Sequence, residues 1–123
     1  MNIEASGQTE PGRAHIVDIS NPGYGDDANE VQGHNYNAAV SVIVVDAPSG
    51  GGPKLHKHPY EEVFVIQEGS ATFTAGEETL EANAGQVVIV PGGVPHKFVN
   101  TGEGRLRQVD IHASDRFITE WLE

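Results

Sequence analysis

Apolar and polar residues alternate along most of the chain in short runs divided by glycine, proline and asparagine, a pattern that predicts strands rather than long helices. RAHIVDIS (13–20) reads as a short strand, and NPGYGDDANEVQG (21–33), rich in turn formers and acids, as a loop. NYNAAVSVIVVDA (35–47) is continuous and β-branched, which predicts a strand buried on part of both faces. PSGGGP (48–53) breaks it, and KLHKHPYEEVFVIQ (54–67) follows as one or two extended segments. EGSATFTAGEETLEA (68–82) predicts two strands around the turn AGE. QVVIVP (86–91), HKFVN (96–100) and RLRQVDIHA (105–113) complete the strands, with PGGVP (91–95) as a tight loop. The period then changes. In SDRFITEWLE (114–123), Ser114 is placed to cap a helix, and Phe117, Ile118, Trp121 and Leu122 recur at helical spacing. The expectation is a flexible N-terminus over 1–12 and one all-β domain over 13–123, a sandwich or small barrel ending in a short C-terminal α-helix.

Composition narrows the partners. The 123 residues suit one domain with its own core, and the absence of cysteine excludes disulfides and thiolate metal sites. Seven basic against 18 acidic residues leave a net charge of −11, and the basic residues are scattered. Neither nucleic acid nor an anionic membrane is an expected partner. Residues 1–12 lack the features of a signal peptide and VIVV (42–45) is too short to span a bilayer, so a cytoplasmic location is expected.

The candidate chemistry begins at HKHPYEE (56–62). Side chains on a strand alternate between faces, so His56 and His58 share a side, together with Tyr60, Glu62, Phe64 and Ile66. Parity makes Glu62 the companion of the histidines and sends Glu61 to the other face; a kink at Pro59 or a bulge would reverse that choice. Imidazoles at i and i+2 stand roughly 6–7 Å apart at Cα, within reach of one ion at bonds of about 2 Å. The competing reading is an exposed charged face on an edge strand.

A second segment, GQVVIVPGGVPHKFVN (85–100), carries His96 after a Pro-Gly-Gly turn. Together the two segments resemble the cupin superfamily. Gly50, His56, His58, Glu62 and Gly69 match its first motif, and Gly85, Pro91, Gly93, His96 and Asn100 its second, with fifteen residues between Gly69 and Gly85. The resemblance implies a conserved β-barrel of jelly-roll type, metal ligands at His56, His58, Glu62 and His96, and structural roles for the glycines, Pro91 and Asn100. One divalent transition metal per chain (Mn, Fe, Co, Ni, Cu or Zn) suits three imidazoles and a carboxylate, with positions left for a small oxygenated ligand.

In RLRQVDIHA one face carries Leu106, Gln108, Asp110 and His112, the other Arg107, Val109, Ile111 and Ala113. Simple alternation favours Val109 and Ile111 inside; the alternative is a polar cavity wall of Gln108, Asp110 and His112. Tyr60, Phe64, Phe98, His34 and Tyr36 are further pocket candidates, with core packing as the competing role, and His15 has no assignment. The functional expectation is a metalloenzyme on a small oxygenated organic substrate, with dioxygenase-type cleavage ahead of isomerisation, epimerisation or cyclisation. The rival is a sugar- or effector-binding module without turnover. A homodimer is expected, with the C-terminal helix and the 13–20 strand as candidate interface.

Overall fold

The computed structural model describes residues 12–19 and 28–123. Among these residues, ten strands form two antiparallel five-stranded sheets. The first contains β1 (Ala28–Val31), β2 (Ser41–Ala47), β9 (Leu106–His112), β4 (Glu62–Glu68) and β7 (Val87–Val90), in that spatial order. The second runs β10 (Glu120–Trp121), β3 (His56–Lys57), β8 (His96–Asn100), β5 (Ser70–Ala75), β6 (Glu78–Asn83). This is the expected all-β jelly roll. No helix among the described residues is long and apolar enough to cross a membrane.

Alternate residues from both sheets point into the space between them. Phe64 from the first sheet meets Phe73 and Phe98 from the second, with ring centroids 4.9 and 6.0 Å apart. Ile43, Val45, Ile66, Val90 and Leu106 fill the core around these rings. Glycine is required where strands turn back closely. Gly69 has φ of +87°, and a Cβ there would lie 2.3 Å from the Arg105 carbonyl oxygen. Asn100 is a structural residue, as expected. Its amide donates to the Ala47 and Gly104 carbonyls at 3.1 and 2.8 Å, and its carbonyl oxygen accepts from Gly102 N–H at 3.0 Å.

Several elements depart from the expectation. The C-terminal residues 114–123 are not helical: they run across the barrel as irregular chain and end in β10, antiparallel to β3. Their N–H groups are taken by the barrel. Phe117 N–H donates to Gln32 Oε1 (3.1 Å), Ile118 N–H to the Tyr60 hydroxyl (3.3 Å) and Leu122 N–H to the Leu55 carbonyl (2.9 Å). A ten-residue segment gains too little from its own turns to outweigh such bonds. Residues 13–18 form no strand, and Ile16 is fully exposed. The stretch read as a loop over 21–33 contains β1, because Ala28–Val31 pairs with Val42–Val45 of β2. The strand read from 35 begins at Ser41, after a 3-10 turn (Gly33–Tyr36) closed by Asn37 in the left-handed region at φ 57°. The flexible N-terminus expected over 1–12 falls, for residues 1–11, outside the described residues.

Candidate metal centre

The two sheets contribute one cross-strand pair each. His56 on β3 lies opposite His96 on β8, and Glu62 on β4 lies opposite His112 on β9. His58 sits on the crossing segment between β3 and β4. The parity argument holds although Pro59 and Tyr60 form a bend: His56, His58 and Glu62 are buried and Glu61 is exposed. His56, His58, Glu62 and His96 form a buried metal-binding group, each offering one ligand atom, all within 4.8 Å of one another.

Hydrogen bonding orients the rings. Nδ1 of His56 lies 2.7 Å from the Lys54 carbonyl, that of His96 2.8 Å from Val94 O, and that of His58 2.8 Å from Ile118 O. A carbonyl only accepts, so each Nδ1 carries the hydrogen and Nε2 is left to face the centre. His58 Nε2 and His96 Nε2 stand 3.2 and 3.1 Å from Glu62 Oε1, and His112 Nε2 3.0 Å from Oε2. The His58 and His112 Nε2 atoms are buried yet make no well-formed hydrogen bond. Buried nitrogens left unmet around a carboxylate are what a divalent cation satisfies, and the imidazole–carboxylate set suits a first-row transition metal. His112 stands on the far side of Glu62, with its Nδ1 2.8 Å from the Tyr60 hydroxyl.

The electrostatics fit the same use. Burial, helped by the neighbouring His96 and His58, lowers His56 to about 4, so the ring stays neutral and able to ligate well into acid. Burial alone would raise the Glu62 carboxyl, but its contacts with His112, His58 and His96 outweigh this and hold it ionised below the usual carboxylate range. His96 is pulled the other way. Burial lowers it, but Glu62 and the Val94 carbonyl together raise it above the ordinary imidazole value. Without an ion His96 therefore tends to hold a proton, which an incoming cation displaces. Asp110 is pushed well above the carboxylate range by burial and by Glu62, partly offset by the Gln108 amide donating at 2.8 Å.

A cavity of about 180 Å³ opens beside the group. His56, His58, Glu62 and His112 form one end; Ile43, Val45, Ala47, Phe64, Phe98 and Asp110 line the walls, and Trp121 also borders it. The inner face of β9 corrects the simple-alternation reading: Gln108, Asp110 and His112 are buried, while Val109 and Ile111 lie on the outer face. Of the pocket candidates, Phe64, Phe98, Asp110 and His112 line the cavity. Tyr60 and Gln108 do not; Tyr60 touches His112, and Gln108 holds Asp110. His34 and Tyr36 are on the 3-10 turn and do not line it; the Tyr36 ring instead lies tilted 5.8 Å from that of His15. The sequence reading missed Trp121 and the tail's part in the site. Its only signal was an aromatic residue in a stretch whose apolar spacing also suits a helix.

The cupin-domain family model matches residues 42–112. An uncharacterised protein of Streptomyces coelicolor is 37% identical over 67 residues, covering 54% of this chain and 62% of that protein. The chain thus spans about three-fifths of that relative's length. A Klebsiella pneumoniae protein with a double-stranded β-helix domain superposes with a TM-score of 0.72 at 21% identity, over 90% of this chain and 99% of that one. Lactobacillus farciminis oxalate decarboxylase, solved as a formate complex, gives a TM-score of 0.70 at 21% identity, over 79% of this chain and 32% of that one. At these identities the structural likeness bears on fold.

Proposed function

We propose, from the premise that this chain belongs to the cupin family, that it is a metal-dependent enzyme acting on a small oxygenated organic molecule. Dioxygenase-type cleavage is the favoured reaction. One observation carries the reading: His56, His58, Glu62 and His96 converge beside a mostly apolar cavity, which the first three of them line. When bound there, a divalent transition metal supplies Lewis acidity and open positions for a chelating oxygen ligand.

The residues of the chain do the rest. The backbone carbonyls of Lys54, Ile118 and Val94 hold Nδ1 of the three imidazoles and so aim each Nε2 at the centre. Phe64, Phe98, Ile43 and Val45 exclude water and grip an apolar body. Asp110, held by Gln108 and favoured in its protonated form, can donate a hydrogen bond to a substrate oxygen. Among the described residues no lysine or arginine lines the cavity, so a second anionic group on the substrate finds no counter-charge from them. A cavity of about 150 Å³ accommodates a benzene-sized guest; at about 180 Å³ this one suits a catechol or a short β-diketone better than a three-ring flavonol. The test is oxygen uptake with those three compounds, on metal-loaded wild type and Glu62→Gln. Uptake with catechol or diketone, lost in the variant, supports the proposal. Turnover that continues under argon moves the reaction to isomerisation, epimerisation or cyclisation, and tight binding without product makes the chain a ligand-binding module.

The proposal includes a homodimer in the cytoplasm. The C-terminal segment pairs with β3 of its own chain, so it is not the free helix first considered as an interface. The outer face of the first sheet takes that place. Val31, Val42, Ile111, Val63 and Ile89 form one row across its five strands, and Asn29, Val44, Val109, Val65 and Val87 the next. Five strands about 4.8 Å apart and two outward rows about 7 Å apart span roughly 300 Å², the apolar centre of an interface that flanking polar residues would extend toward the ~800 Å² per partner of a stable one. A flat, uncharged pair of rows on a chain of net charge −11 suits a second copy of itself.

A further inference from the structure

The three ligand histidines differ in where their anchors come from. His56 and His96 bond carbonyls two residues upstream, on Lys54 and Val94. The anchor of His58 comes from Ile118, sixty residues away, with longer contacts at 3.3 Å from Thr119 Oγ1 on the same segment and from the Tyr60 hydroxyl beside His58. The segment holding that carbonyl is a narrow strap. It is tied down by the two-residue pairing of β10 with β3, by Leu122 N–H to Leu55 O at 2.9 Å, and by Leu55 N–H to Glu123 Oε1 at 3.2 Å. Its rings lie against the site: Trp121 is 4.9 Å from the His56 ring and Phe117 4.8 Å from that of His112. Trp121 lines the cavity yet is half exposed, which puts it at the cavity's mouth.

We infer that residues 114–123 are a positioning strap of the metal centre: docked, the strap fixes His58 in its ligating tautomer and walls the cavity mouth with Trp121; undocked, it releases both. The inference rests on the metal-binding reading of the site. Ser114, Asp115 and Phe117 are held by Ser41, His34 and Gln32; beyond them the strap is a two-residue edge strand with single bonds beside it, which belongs to the low-stability end of a fold, so undocking of residues 118–123 is accessible without unfolding the barrel. Loss of such an outer partner of a ligand typically costs about 10–100-fold in metal affinity.

The experiment compares the full chain with a chain ending at Phe117 and with Leu122→Pro, which removes the N–H that bonds Leu55 O and restrains the backbone at Trp121. Two readouts are taken: imidazole ¹⁵N shifts of the metal-free protein and Co(II) affinity by optical titration. In the shortened chain His56 and His96 are expected to keep the hydrogen on Nδ1. His58 becomes a tautomer mixture, and Co(II) affinity falls about 10–100-fold. Leu122→Pro moves both readouts the same way by less, and carries the test if the shortened chain does not fold. A folded shortened chain with His58 still fixed and Co(II) affinity unchanged overturns the inference. A full chain that binds no Co(II), yet whose His58 tautomer still follows the strap, removes the metal reading and leaves the strap standing as a clamp on His58.

Discussion

The two sheets bury similar inner faces and differ on their outer ones. Inside, each offers phenylalanine and aliphatic residues to one core, and each gives one cross-strand pair to the metal centre. Outside, the second sheet presents Thr72, Thr74, Thr79, Glu81 and Lys97, with Val99 as its apolar exception. The outer face of the first sheet carries a valine or isoleucine from each of its five strands in its central rows, with Asn29 as the polar member and Asp46, Arg107 and Glu68 at one end. β9 shows the inversion within one strand, polar Gln108, Asp110 and His112 inside and Val109 and Ile111 outside. With the cavity on its inner side and the proposed partner on its outer one, this strand reverses the usual rule of apolar in, polar out.

The equality of the inner faces predicts equal damage there, and the largest. Phe64→Ala and Phe73→Ala each remove a fully buried ring and should lower stability by about 3–5 kcal/mol in urea unfolding. A cost confined to one of them would break the symmetry. The outer faces should respond unequally. Val65→Lys puts a charge into the apolar rows of the first sheet and is expected to halve the molar mass seen by light scattering. Thr72→Lys on the second sheet is expected to leave it unchanged. A wild-type chain that is monomeric at every concentration would remove the dimer and leave the outer valines unexplained.

The smallest effect concerns the polar inner face. Burial and Glu62 raise Asp110, so the folded state holds its proton more tightly than the unfolded chain does. Its contribution is fully present below the unfolded carboxylate range and is lost as pH rises through the folded value. Metal-free Asp110→Asn should therefore be more stable than wild type at neutral pH, and the difference should shrink toward pH 4, read from urea midpoints across that range. Equal stability of the two proteins at neutral pH would argue that Asp110 is ionised and paired.

Much of this was legible in the chain. The strands from β4 to β9 follow its alternation; the spacing of His56, His58 and Glu62 pointed to a shared face, and the resemblance to cupins added His96 to the group. Alternation reports that residues share a face, not which face is inside, and for β9 the apolar side was the outer one. The C-terminal tail failed for another reason. Phe117, Ile118, Trp121 and Leu122 satisfy a helical period, but distant groups (Gln32, Tyr60 and Leu55) capture the N–H groups that a helix needs. β1 was hidden because ANEV has little strand character of its own and is held by its partner β2.

The central claim is a metal held by three histidines and Glu62. Its most direct test is metal content by mass spectrometry on tag-free protein purified without added metal, beside Glu62→Gln and His96→Ala. The account predicts close to one transition-metal ion per wild-type chain and little in either variant. Wild-type protein that carries no metal and takes up none on reconstitution would contradict it.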